Sequence, residues 1–150
     1  MPQSLSNILI HLIFSTKLRH PYISKDIQKE LYDYMAGIAK AYHVFVHEIG
    51  GIEDHVHILI SLPRVLTVSK FIEELKKGPS KWIKTKSTQY EKFAWQRGHG
   101  AFSIGRSGYE RLRQYIQKQK DHHKKVSFQD EYRSFLNKYK IDFDEAYVWD

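Results

Sequence analysis

The sequence predicts an α+β fold, an antiparallel sheet carrying helices, in one domain spanning residues 1–150. Three observations predict it. Residues 8–14 and 55–62 are apolar, rich in β-branched side chains and short, as buried strands are. Between residues 27 and 42 the apolar side chains recur with helical spacing. Along the chain such segments follow the order strand, helix, hairpin, helix, strand, with more helical sequence after them.

Taken in order, the first strand places Ile8, Ile10, Leu12 and Phe14 on one face and Leu9, His11 and Ile13 on the other. Pro21 interrupts the chain before a helix that starts near Ser24 and carries Ile27, Leu31, Tyr34, Met35, Ile38 and Tyr42. Residues 44–49 and 55–62 form an antiparallel hairpin whose turn is expected to contain Gly50-Gly51, and Pro63 closes its second strand. Thr67 caps a helix with Val68, Phe71, Ile72 and Leu75 on one stripe. Gly78-Pro79 is expected to break that helix, and Ser80 to restart a short basic one through Trp82 and Ile83.

Residues 95–98 read as loop and 101–104 as a short strand. Ser107 and Glu110 have capping-box spacing, which predicts a helix over 108–121. A last helix over 128–139 carries Tyr132, Phe135 and Leu136, and the acidic tail from Ile141 ends in Tyr147-Val148-Trp149, expected to pack back on the domain. The order is that of a ferredoxin-like βαββαβ core with two helices on one sheet face. The appended C-terminal helices are left to cover the other.

A chain of 150 residues, 41% hydrophobic and 14% aromatic, can bury a core, which argues against disorder. No stretch approaches the ~20 apolar residues that cross a bilayer, and residues 1–7 do not read as a signal peptide. The absence of cysteine excludes thiolate chemistry and fits a reducing compartment, so a cytoplasmic protein is expected. The net charge of +7 is concentrated: residues 64–125 hold 16 Lys or Arg against 5 Asp or Glu. Such a region is an electrostatic footprint for a polyanion, although a solvated basic surface has the same composition.

His55 and His57, two apart on an apolar strand, point to the same face. An arbitrary His-x-His is usually a hydrogen-bonded pair of sheet residues. On a covered face both rings need partners, which a metal would supply. A two-histidine phosphoesterase would need two separate His-x-Ser/Thr repeats, and the chain shows none. Tyr115 and Gln119, four apart, share a helix face whose neighbours Arg111, Arg113, Gln114, Gln117, Lys118 and Lys120 are polar. Among those cations the phenolate form of Tyr115 is expected to be favoured. Two imidazoles, an amide oxygen and a phenol suffice to bind a divalent metal and attack a phosphodiester.

Asp54-His55-Val56-His57 with Tyr115-Ile116-x-x-Gln119 resembles the single-tyrosine HUH transposases, the insertion-sequence enzymes and their relatives associated with repetitive extragenic palindromes. The likeness extends to Phe14-Ser15-Thr16-Lys17, Lys77-Gly78-x-Ser80, Gly100-Ala101-Phe102-Ser103 and His122-His123, almost the whole chain. The resemblance implies that His55, His57 and Gln119 hold Mg²⁺ or Mn²⁺. Tyr115 would be the nucleophile, forming a 5′-phosphotyrosine link to single-stranded, hairpin-bearing DNA and releasing a 3′-hydroxyl. It also implies a bacterial-type protein, nucleoid-associated when bound, and a homodimer in which the tyrosine of one chain can complete the metal site of the other, with placement in the same or the partner chain left open.

For the DNA backbone the candidates are the run Lys76, Lys77, Lys81 and Lys84, with Arg97, Arg106, Arg111 and Lys118. Trp82, Trp95 and Phe102 are candidates for base stacking or core packing, His11 reads as a core histidine of the first strand, and His99 is a candidate phosphate contact. His122 and His123, three and four residues beyond Gln119, are near enough to touch DNA or metal, and a polar helix end explains them equally well. Three rival readings remain at this level. One is a relative that processes palindromic repeats without mobilising itself, another a non-catalytic nucleic-acid-binding module. The third, a replication-initiator or relaxase nickase, fits the compact chain and downstream Tyr-x-x-x-Gln less well.

Overall fold

The computed structural model describes residues 2–150. Strand β1 (Leu9–Ser15), helix α1 (Lys25–Ala41), strands β2 (Phe45–Ile52) and β3 (His55–Ser61), helix α2 (Val68–Lys84) and strand β4 (Gly100–Ile104) follow in the predicted order. Helices α3 (Tyr109–Gln117), α4 (Gln119–His122) and α5 (Phe128–Lys138) come after them. The four strands form one sheet, β2-β3-β1-β4, with every neighbouring pair antiparallel. This is the ferredoxin-like arrangement.

Alternation of side chains along the two central strands builds two cores. Ile10, Leu12, Phe14, Val56, Ile58 and Ile60 pack with Leu31, Met35, Phe71 and Leu75 of α1 and α2. On the opposite face Leu9 and Leu59 meet Leu112 and Ile116 of α3, and Ile13 meets Phe128, Tyr132 and Leu136 of α5. The appended helices therefore cover the second face, and the histidines of β1 and β3 lie beneath them. The tail packs back as expected: the Asp150 carbonyl accepts from the Gly98 N–H at 2.8 Å, and Trp149 lies against Tyr132.

Three local expectations are corrected. Gly78-Pro79 does not break α2, which runs unbroken from Val68 to Lys84. A proline inside a helix costs about 3 kcal/mol, but Phe71, Ile72 and Leu75 before it and Ile83 after it bury together and hold the two halves in line. Gly50 and Gly51 are not the hairpin turn; they lie within β2, opposite His57 and Val56, and the turn is Glu53-Asp54. Gly50 is there for close approach, since a Cβ on it would lie 2.6 Å from the Ile116 carbonyl oxygen of α3. Finally, the helix expected over 108–121 is interrupted at Lys118 (φ −100°, ψ 21°), and Ser107 makes no capping hydrogen bond at its start. The interruption separates α3 from the single turn α4.

Candidate active site

Five elements converge on the covered face of the sheet. β3 supplies His55 and His57, β1 supplies His11, the α3–α4 segment supplies Tyr115, Gln119, His122 and His123, and α5 supplies Glu131. The sheet register pairs Ile13 with His57 and His11 with Leu59, so the His11 ring lies diagonally beside that of His57. His11, His55 and His57 are fully buried, and Gln119 and Glu131 nearly so.

Each ring of the central trio is held from behind by its Nδ1. Asp54 Oδ1 lies 2.7 Å from His55 Nδ1, and the Val126 carbonyl oxygen 2.6 Å from His123 Nδ1. Both oxygens are acceptors, so both Nδ1 atoms donate. His57 Nδ1 lies 2.8 Å from His11 Nε2. The three Nε2 atoms therefore face one another across a small volume, which is how ligating imidazoles are oriented by partners behind them. Gln119 Oε1 accepts from His55 Nε2 at 2.9 Å and His123 Nε2 at 3.0 Å.

Glu131 sits at the centre. Its Oε1 is 2.9 Å from His57 Nε2, 3.2 Å from His123 Nε2 and 3.4 Å from His55 Nε2. Its Oε2 accepts from Gln119 Nε2 at 3.0 Å, from the Tyr115 hydroxyl, and lies 3.2 Å from His122 Nε2. Burial alone would raise this carboxyl, but the hydrogen bonds from His123, His55 and His57 outweigh it and hold Glu131 far below the usual carboxylate range. Burial likewise lowers His55, and its bonds to Asp54 and Glu131 overcome that, lifting it to about 9. For His57 burial wins, and it falls to about 4.

Tyr115 is half-buried at the edge of this cluster, its ring 5.8 Å from that of His57 and its hydroxyl 3.0 Å from His122 Nε2. The expectation of a favoured phenolate is corrected. Burial raises the phenol well above its ordinary range, and the Glu131 charge raises it further. The oxygen faces a carboxylate, not the basic side chains beside it in sequence. A cavity of about 530 Å³ opens next to it, walled by Leu112, Phe135 and Tyr139 and flanked by Arg111 and Lys138.

The donor set fits a divalent metal. Among the described residues, His55, His57, His123 and Glu131 each offer a ligand atom, all within 4.8 Å of one another, and they are borderline and hard donors of the kind such ions take. Tyr115 lies over the histidines of its own chain, its ring beside that of His57. The packing of Leu112 and Ile116 of α3 on Leu9 and Leu59 sets Tyr115 against its own sheet.

The other predicted residues are not all gathered here. Arg106 before α3, Arg111 on α3 and Lys118 between α3 and α4 are exposed. Lys77, Lys81 and Lys84 are exposed on α2, across the sheet from the histidines, and Arg97 is exposed in the loop before β4. Lys76 is not a free surface cation. Its ammonium donates to the carbonyls of Gln96, Arg97 and Gly98 at 2.9, 3.3 and 2.7 Å, and burial lowers it to about 8. Trp95 and Phe102 are core residues, whereas Trp82 is partly exposed and stacks on Tyr34 at 5.1 Å.

The family model described as "Transposase IS200 like" matches residues 4–119. The chain belongs to the IS200-like transposase family. The match takes in His55, His57, Tyr115 and Gln119, and it ends before His122, His123 and Glu131. Among solved structures, the chain is similar to a protein assigned as a transposase from Deinococcus radiodurans R1. They share 20% identity over 79% of this chain and 98% of that one, with a TM-score of 0.62. It is also similar to a REP-associated tyrosine transposase bound to a REP hairpin, at 15% identity over 84% of this chain and 74% of that one, with a TM-score of 0.64. At these identities the likeness establishes the shared fold. Comparison with proteins of curated function gives no match. No helix among the described residues is long and apolar enough to cross a membrane.

Glu131 was missed in the sequence, although a signal for it exists. It stands three residues after Phe128 and one before Tyr132, on the buried stripe of α5 with Leu136. A carboxylate at a core position of an amphipathic helix must meet a partner.

Proposed function

We infer that this transposase cuts and rejoins single-stranded, hairpin-bearing DNA through a covalent 5′-phosphotyrosine intermediate on Tyr115, with a divalent cation held by His55, His57 and Gln119. The observation that carries the reading is one shared carboxylate: Glu131 touches both the Tyr115 hydroxyl and the buried histidines. It fixes the candidate nucleophile beside the candidate metal site within one chain. A non-catalytic binding module has no need of a phenol so placed above a buried polar cluster, which is costly to bury unless paired.

In the proposed reaction the Tyr115 oxygen forms a bond to phosphorus as the bond from phosphorus to the 3′ oxygen breaks. The 3′ oxygen leaves as a hydroxyl, and the phenol proton has Glu131 and His122 beside it as acceptors. A bound cation supplies charge neutralisation at the phosphoryl oxygens. The phosphotyrosine conserves the energy of the cleaved bond, so a 3′-hydroxyl can later displace the tyrosine without a nucleotide cofactor. Arg111 and Lys138, flanking the cavity, are placed to neutralise phosphates, and its aromatic wall suits an unstacked base. A hairpin DNA partner is supported by the fold shared with the REP-hairpin complex.

The test is incubation of the protein with hairpin oligonucleotides and Mn²⁺, followed by denaturing electrophoresis. A slow-migrating protein–DNA band that is lost with EDTA is expected. Binding that survives EDTA and yields no such band would place the chain among non-catalytic modules.

A further inference from the structure

We propose that the segment beyond the family-matched residues completes the cation site. His123 and Glu131 join His55, His57 and Gln119 as ligands, and this set of three imidazole nitrogens and two oxygens selects a transition-metal dication such as Mn²⁺ over Mg²⁺. The inference rests on the reading that His55 and His57 bind a metal.

The spacing of the donors carries it. Glu131 Oε1 lies 2.9, 3.2 and 3.4 Å from the Nε2 atoms of His57, His123 and His55, and Gln119 Oε1 lies 2.9 and 3.0 Å from those of His55 and His123. Ligands sharing one ion at bond lengths of about 2.1 Å stand about 3 Å apart. His123 is oriented as firmly as the two strand histidines, with its Nδ1 tied to the Val126 carbonyl and its Nε2 turned inward. Glu131 brings the negative charge that the two histidines and the amide lack. Imidazole-rich sets rank Mn²⁺ and its heavier neighbours above Mg²⁺, which prefers oxygen and retains its water.

Titration calorimetry of the metal-free full-length protein with MnCl₂ and MgCl₂ tests this. One Mn²⁺ per chain is expected, with Mg²⁺ bound about 100-fold or more weakly. Glu131→Gln and His123→Ala should each weaken Mn²⁺ binding about ten-fold or more, and His57→Ala should abolish it. If Glu131→Gln and His123→Ala bind Mn²⁺ like the wild type while His57→Ala does not, the two-histidine site stands and this proposal falls. If His57→Ala also binds normally, the underlying metal reading falls with it. Equal affinity for Mg²⁺ and Mn²⁺ overturns the selectivity. Pulsed electron paramagnetic resonance of Mn²⁺-loaded wild type needs no variant to fold: couplings to three imidazoles support the proposal, and couplings to two contradict it.

Discussion

The Tyr115 hydroxyl donates its hydrogen bond to Glu131, sixteen residues downstream on a different helix. That contact ties α3 to α5 across the buried histidines, and it sets the state of the proposed nucleophile. Tyr115 rests as a neutral phenol beside a carboxylate and a histidine able to receive its proton.

Replacing Tyr115 with Phe keeps the ring and its packing and removes only the oxygen. We predict loss of the covalent adduct with DNA affinity kept within a few-fold. Tyr109 does not substitute, because its hydroxyl is bonded to His47 at 2.9 Å on another part of the sheet. Electrophoresis of adducts and anisotropy with a labelled hairpin separate the two effects.

Neutralising Glu131 shifts Tyr115 in a defined direction. The carboxylate raises the phenol, so Glu131→Gln lowers the pKa of Tyr115. Carbon-13 spectra of tyrosine-labelled protein, assigned with Tyr115→Phe, follow that titration. An unchanged or raised value contradicts the arrangement.

His55→Ala and His57→Ala are each predicted to reduce metal-dependent cleavage about 100-fold or more, with a smaller loss for Gln119→Ala, because an imidazole is the stronger ligand. Near-normal cleavage by both histidine variants at low metal would return them to the status of ordinary sheet residues. Mixing His57→Ala with Tyr115→Phe protein is expected to restore no activity, since each tyrosine sits over its own histidines.

Stability of the metal-free protein should peak near pH 6.5. His55, raised to about 9, contributes stability that is full below its unfolded value near 6.5 and is lost as pH climbs through 9. His57, lowered to about 4, acts oppositely: the unfolded chain takes up a proton between pH 6.5 and 4 that the folded chain refuses, so acid destabilises. Thermal melts across pH 4–9 measure this, and His55→Gln should flatten the alkaline limb.

The two-residue period of β1 and β3 and the helical stripe of α1 were legible because burial on a face leaves a direct imprint on hydropathy. His55, His57, Tyr115 and Gln119 were legible through spacing and resemblance. Gly50-Gly51 misled because glycine serves tight turns and close backbone approach alike, and only the Ile116 carbonyl above Gly50 distinguishes the two. Pro79 misled because the packing that outweighs its helix-breaking tendency comes from α1 and the sheet, remote in sequence. The neutral phenol at Tyr115 was hidden for the same reason: its charged neighbour in space is Glu131, whereas its neighbours in sequence are cations.

The proposed chemistry stands on a covalent bond between Tyr115 and DNA. Peptide mass spectrometry of the wild-type protein after reaction with a hairpin oligonucleotide and Mn²⁺, then nuclease digestion, tests it most directly. A nucleotide attached through phosphate to the peptide containing Tyr115, and to no other, is expected. A nucleotide on another residue, or cleaved DNA with no protein-linked nucleotide, would contradict it.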